Sequence, residues 1–281
     1  MTVGFVIHGN NATTLEAALR SLRQVCDFVV CIDSGSTDGS YELARASADV
    51  TQRVPWKGFG AARSAAVDAL CSKFGPDEWC VFLDSDEAFA GDVSRASLDA
   101  ALATAPVAQG YRFSRRNWVT RYGTRWLLST DHRVRLFRLG VAPWAPAQIV
   151  HEAFPQGPWP RLGVTIDHAF VNGPLDERRR KQHLYALLWA VQNADGTRRA
   201  APPALAFAWQ AFRELTFRGG LLRGGLAAFP VASALAEYSE LKHRELARCR
   251  AGAHDDLLAA YREGRFDDLF RRAAQTLADA A

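Results

Sequence analysis

Trp79-Cys80-Val81-Phe82-Leu83-Asp84-Ser85-Asp86 is an apolar run that ends abruptly in two carboxylates. A run this short and this apolar reads as a buried strand. Its acids follow at i and i+2, just past the strand end, where both can converge on one ligand. Uncompensated charge there is costly, so a cation is the natural partner. Oxygen donors suit Mg²⁺ or Mn²⁺, which in turn bridge phosphate oxygens. An acidic turn capping the next helix has the same pattern, and the pair alone does not separate the two.

Upstream the same grammar repeats. Residues 3–7, 28–32 and 50–54 read as strands, and residues 13–24, 39–46 and 60–70 as helices between them. In the first helix Leu15, Ala18, Leu19 and Leu22 fall on one face. Strand and helix in this rhythm predict an α/β fold with a parallel sheet covered on both faces, whose ligands sit at the carboxyl ends of the strands. Downstream, residues 92–105 predict a helix, and 110–116, 134–139 and 147–152 predict strands. After Pro174 the pattern is helical, broken at Pro202-Pro203, Gly219-Gly220 and Gly224-Gly225. The expected organisation is an α/β domain over 1–173 and a helical C-terminal region over 174–281.

The chain has 281 residues, 48% hydrophobic and 23% charged, which fits a globular protein with a sizeable core. A net charge of +4 is too mild to point to nucleic acid. Five scattered cysteines without a CxxC pair read as reduced thiols, hence the cytosol. The start lacks a signal peptide's basic and apolar regions, and no apolar stretch reaches the roughly 18 residues of a membrane span.

Two further blocks lie at strand ends. In Cys31-Ile32-Asp33-Ser34-Gly35-Ser36-Thr37-Asp38-Gly39, Asp33 sits at a strand tip where it could accept hydrogen bonds from a ribose or nucleobase. Asp38 is placed to cap the following helix. In Pro55-Trp56-Lys57-Gly58-Phe59-Gly60-Ala61-Ala62-Arg63, a glycine-flanked loop carries Lys57 and Arg63 into a helix, an arrangement suited to a diphosphate. A flexible loop with solvated charges fits that block as well.

Together the three blocks resemble family-2 glycosyltransferases in order and spacing. The runs Tyr111-Arg112-Phe113-Ser114-Arg115-Arg116-Asn117-Trp118, Arg135-Leu136-Phe137-Arg138, Val150-His151-Glu152 and the Phe217–Gly225 segment are similar to the subgroup that adds glucose or a related sugar to the inner core of lipopolysaccharide. The sequence departs from the family pattern at His8-Gly9-Asn10-Asn11, at Ser64 and at Arg223.

The resemblance implies a GT-A nucleotide-sugar-binding fold, a mainly parallel sheet between helices with a helical appendage. It also implies hexosyl transfer with inversion from a nucleotide sugar to a lipopolysaccharide-core, glycan or lipid-linked acceptor. Asp86, Asp84 and His168 would hold a divalent cation, Mg²⁺ or Mn²⁺. Asp33, Lys57, Arg63 and Asp84 would bind the donor. A carboxylate must act as base, a role worth about 10²–10⁴ in rate. Glu152 is the first choice and Asp131 the second, the latter equally suited to a salt bridge with Arg133 or Arg135. Arg115, Arg116 and Trp118 would bind the acceptor. For His168 a structural role is the competing reading, and for the arginine cluster an ordinary charged surface.

Residues 204–238 mix aromatic and aliphatic bulk with Arg213, Arg218 and Arg223, which suits either an anionic membrane interface or a helical lid. The expected location is therefore cytoplasmic, with peripheral contact to the inner membrane face. The rival readings are a nucleotidyltransferase acting on a sugar phosphate and a non-catalytic membrane-associated binding protein.

Overall fold

The computed structural model describes residues 1–141, 144–145, 147–150, 154 and 157–279. Strands β1 (Thr2–His8), β2 (Phe28–Asp33), β3 (Val50–Arg53) and β4 (Trp79–Asp84) are parallel neighbours in the order β3-β2-β1-β4. They are joined by helices α1 (Ala12–Val25), α2 (Ser40–Ser47) and α3 (Phe59–Phe74). Alternation along each strand splits the core in two. Val6, Val29, Cys31, Val81 and Leu83 meet Leu15, Ala18, Leu19 and Leu22 of α1 on one face. Phe5, Val30, Ile32, Cys80 and Phe82 meet Ala62, Ala66, Val67 and Leu70 of α3 on the other. The chain thus winds away from β1 on one side and returns on the other, leaving a crevice at the carboxyl ends of β1, β2 and β4.

Beyond β4 the sheet becomes mixed. β5 (Glu87–Phe89), helix α4 (Arg95–Thr104), β6 (Gly110–Arg121), β7 (Thr124–Arg138) and β8 (Arg161–Val171) complete an eight-stranded sheet of order β3-β2-β1-β4-β7-β6-β8-β5. β7 runs antiparallel to both β4 and β6, β8 parallel to β6, and β5 antiparallel to β8. β6 and β7 form one long hairpin, longer than the sequence pattern indicates. Its outer half alternates polar and apolar residues and lacks the continuous apolar run of a buried strand.

The strand expected over 147–152 is absent from its described part. Ile149 and Val150 are buried, but in a cluster with the C-terminal helices and not in the sheet. Their backbone groups are satisfied without a ladder. Gln192 donates to Val150 O at 3.0 Å and accepts from Val150 N at 3.1 Å. Phe59 N and Gly60 N donate to the carbonyls of Ile149 and Gln148. This explains the glycine at 58: at φ +94° it packs so closely that an added Cβ would stand 2.7 Å from Ile149 Cα.

The C-terminal helices are α5 (Leu175–Asn193), α6 (Pro203–Leu215), α7 (Gly220–Gly224), α8 (Ala228–Arg250), α9 (Asp255–Arg262) and α10 (Phe266–Ala278). Val231, Ala234 and Leu235 of α8 share one core cluster with Val119, Trp126 and Leu128 of the hairpin. Gly224 lies against Trp126, where a Cβ would meet the indole at 2.8 Å. Among the described residues no single helix is long and apolar enough to span a bilayer.

Candidate active site

The sheet register brings the polar strand ends together. His8 is opposite Asp33 on β2, and Ile7 is opposite Asp84 on β4, so both acids flank the tip of β1. Glu87 on β5 is opposite His168 on β8, which places that imidazole beside the turn carrying Asp86.

Asp84 is engaged on both oxygens. Arg63 Nη2 donates to Oδ1 and Arg135 Nη2 to Oδ2, each at 2.6 Å. Burial pushes the Asp84 carboxyl up, but Arg135, then Arg63 and Arg115, outweigh it and hold the group well below the usual carboxylate range. Two guanidinium groups thus match the charge of Asp84. Arg135 also reaches fully buried Glu87, at 2.6 and 2.8 Å, and Arg115 reaches Glu87 at 3.2 Å. Glu87 accepts in addition from the Asp84 backbone N–H at 3.1 Å, so this buried carboxylate anchors the acidic turn.

Asp86 stands apart from that network. Its Oδ2 lies 3.3 Å from His168 Nε2. Asn117, 5% exposed, donates from Nδ2 to Ser129 Oγ at 3.1 Å, which leaves its Oδ1 to accept from His168 Nδ1 at 2.7 Å. That contact turns Nε2 toward Asp86; burial lowers the His168 pKa, but the charge of Asp86 and a hydrogen bond to it prevail and raise it. A carboxylate and an imidazole so oriented, with an amide behind the ring, fit a divalent cation. Among the described residues they do not amount to a complete ligand set.

The remaining candidates divide. Asp33 has a fully buried side chain and is internally satisfied: Gly35 N and Ser36 N donate to it, and Arg53 Nε donates at 2.8 Å. It holds the loop after β2. Lys57 pairs with Asp267 of α10 at 3.4 Å, tying its loop to the C-terminal helices and away from Asp84. Arg63 does reach the acidic turn. Asp131 is directly across the ladder from Arg115 and accepts a bidentate pair from it, at 2.8 and 3.0 Å, with Arg133 at 3.2 Å. Burial works to raise Asp131, yet Arg115 prevails and its pKa is lowered, which suits an anchor better than a base. Arg116 and Trp118 both donate to Asp167, so the acceptor cluster is split by strand alternation: Arg115 faces Glu87, its neighbour the other side. Glu152 lies outside the described residues. A cleft of about 520 Å³ at the start of α5, lined by Arg121, Asp176 and Arg179 among others, contains none of these side chains.

A model of the family described as glycosyl transferase family 2 matches residues 5–145. The chain belongs to that family. The lipopolysaccharide core biosynthesis glycosyltransferase LpsC of Rhizobium meliloti (strain 1021) is 30% identical over 245 residues, covering 84% of this chain and 88% of the relative. An uncharacterized glycosyltransferase of Rickettsia bellii (strain RML369-C) is 30% identical over 83 residues, 30% of this chain and 26% of that protein. Among solved structures, S. aureus TarS 1–349 aligns over 100% of this chain and 92% of its own at 15% identity and a TM-score of 0.35. Glucosyl-3-phosphoglycerate synthase from Mycobacterium tuberculosis, in complex with Mn²⁺, UDP and glucosyl-3-phosphoglycerate, aligns over 68% and 79% at 16% identity and a TM-score of 0.39. Likenesses that distant carry no argument about the site. For this family-2 glycosyltransferase, Arg135, Glu87 and Asn117 are the residues that sequence reasoning did not assign. Glu87 had one available signal, its place directly after the acidic pair.

Proposed function

We propose that this glycosyltransferase moves a hexose from a nucleoside diphosphate sugar, with inversion, onto a lipopolysaccharide-core or other lipid-linked glycan acceptor. The observation that carries the reading is the Asp86–His168 pair, oriented by Asn117 at the carboxyl end of the sheet. Asp86 and His168 would hold Mg²⁺ or Mn²⁺, which when bound supplies positive charge for the departing diphosphate. The chain's own residues do the rest. Arg63 and Arg135 fix Asp84 and so the shape of the turn. Glu152, on sequence grounds, is the base that takes the acceptor hydroxyl proton. Family membership favours this over nucleotidyl transfer. Similarity to LpsC along most of the chain supports a lipopolysaccharide-core acceptor.

Contact with an anionic membrane belongs to the same proposal. Leu205, Trp209, Phe212, Phe217, Leu222 and Leu226 are all exposed, and Trp209, Phe212 and Phe217 form one aromatic cluster. Isolated exposed apolar residues are ordinary, but a contiguous patch marks an interaction surface. The arginines of this segment contribute less than its sequence implies. Arg213 and Arg218 bind buried Glu214, and Arg223 donates to Leu127 O.

Incubation with a panel of nucleotide sugars and Mn²⁺, followed by NMR of the anomeric proton in the product, tests the reading. Turnover of one donor with inverted configuration is expected. No turnover of any donor, or retention of configuration, contradicts it.

A further inference from the structure

The arginines around the acidic turn differ in their partners, and the inference drawn from that difference rests on the donor reading just given. Arg63, Arg115, Arg116 and Arg135 each bind a carboxylate. Arg178, on the first turn of α5, has no ion-pair partner among the described side chains. Its Nη1 donates to Phe170 O at 2.7 Å, its guanidinium lies 4.7 Å from the Phe170 ring, and its buried Nε has no acceptor. A positive group at a helix N-terminus is also opposed by the helix dipole, so helix stability does not account for it. The adjacent Arg179 is different: it is held by Glu237 and Asp176.

Its location gives the charge a use. The Phe170 ring stands 5.5 Å from the His168 ring, edge to face, so Arg178 and His168 both pack on Phe170. Burial lowers the Arg178 pKa, and the charge of Asp86 is close enough to act against that. A withdrawn guanidinium beside an acid–imidazole pair is matched by an anion that reaches both.

We infer that Arg178 binds the pyrophosphate of the donor and stabilises it as it leaves. In the transfer, the bond from the anomeric carbon to the β-phosphate oxygen breaks and its electron pair stays on that oxygen. The acceptor oxygen bonds to the carbon and gives its proton to the carboxylate base. Arg178 donates an N–H to the phosphate as that charge grows.

The test is equilibrium binding to the full chain with Mn²⁺. UDP, ADP and GDP are measured by calorimetry, and the corresponding nucleosides by ligand-detected NMR. Against the diphosphate that wild type binds, R178A should bind about 10- to 100-fold more weakly, as expected for loss of a charged hydrogen bond. Nucleoside binding should persist in that variant, and R179A should bind the diphosphate as wild type does. Equal diphosphate affinity in R178A overturns the inference. If R178A loses the nucleoside too, R178Q decides. That variant keeps a polar side chain without the charge, and wild-type diphosphate affinity in it means a structural residue and overturns the inference. Weakened diphosphate affinity with nucleoside binding retained supports it, and loss of both ligands overturns it. If wild type binds no nucleoside diphosphate, the donor reading itself fails, a result distinguishable from failure at Arg178 alone.

Discussion

His168 Nε2 faces Asp86 Oδ2 at 3.3 Å, in an orientation set by the hydrogen bond from its other nitrogen to Asn117. If this pair holds a cation, Asn117 controls affinity without touching the ion. Removing such an outer partner typically costs about 10- to 100-fold in metal affinity. N117A should therefore bind Mn²⁺ more weakly by that factor, measured by EPR titration in the presence of the preferred nucleoside diphosphate. Unchanged affinity contradicts the orienting role.

Arg135 is the central cation of a buried cluster, 4% exposed and bound to both Asp84 and Glu87. Replacing it with Met leaves Glu87 buried with only Arg115 to offset its charge. Breaking a buried pair from one side costs about 3–5 kcal/mol. R135M should lose stability on that scale in urea unfolding. A loss under about 1 kcal/mol would mean that solvent or relaxation replaces the contact.

Acid should unfold the protein through its low-pKa carboxyls. Burial opposes ionisation of Asp33, Asp84 and Asp131, but hydrogen bonds and guanidinium groups hold all three below the ordinary value. In the unfolded chain they titrate near about 4. The unfolded state therefore binds more protons in acid. The stabilisation is complete above the unfolded value and is lost as pH falls below it through the native values. Urea midpoints should drop steeply from about pH 5 toward pH 2. R53Q, which deprives Asp33 of its guanidinium partner, should show a shallower drop. An equal slope in the variant contradicts the assignment.

Phe217, Leu222 and Leu226 are 72%, 92% and 84% exposed, so replacing all three with Ser should leave the fold intact. Each apolar side chain gains about 1.5–3 kcal/mol on full burial. The triple variant should co-float with anionic vesicles at least about tenfold less than wild type. Equal flotation, or none by wild type, argues for a lid or another partner.

The first four strands and three helices were legible because their apolar residues repeat at strand and helix spacing. Leu15, Ala18, Leu19 and Leu22 all point into one core, as that spacing requires. Residues 148–150 misled for a physical reason. An apolar pair buried under helices has a strand's composition, and the side chain of Gln192 satisfies Val150's backbone in place of a ladder. β5 was too short to show a period, and β8 depends on pairing with β6 and β5 across a long sequence separation. At the site, the strand-end position of Asp84 and Asp86 was legible but their different partners were not. The difference depends on Arg135, which reaches Asp84 through an antiparallel pairing of β7 with β4.

The most direct test of the central claim is donor turnover with Mn²⁺ in wild type and in D86A, each compared with EDTA-treated protein. The account predicts that EDTA silences wild type, that Mn²⁺ restores it, and that D86A stays inactive at every Mn²⁺ concentration while keeping its unfolding midpoint. Equal turnover by D86A, or full activity in EDTA, would contradict it.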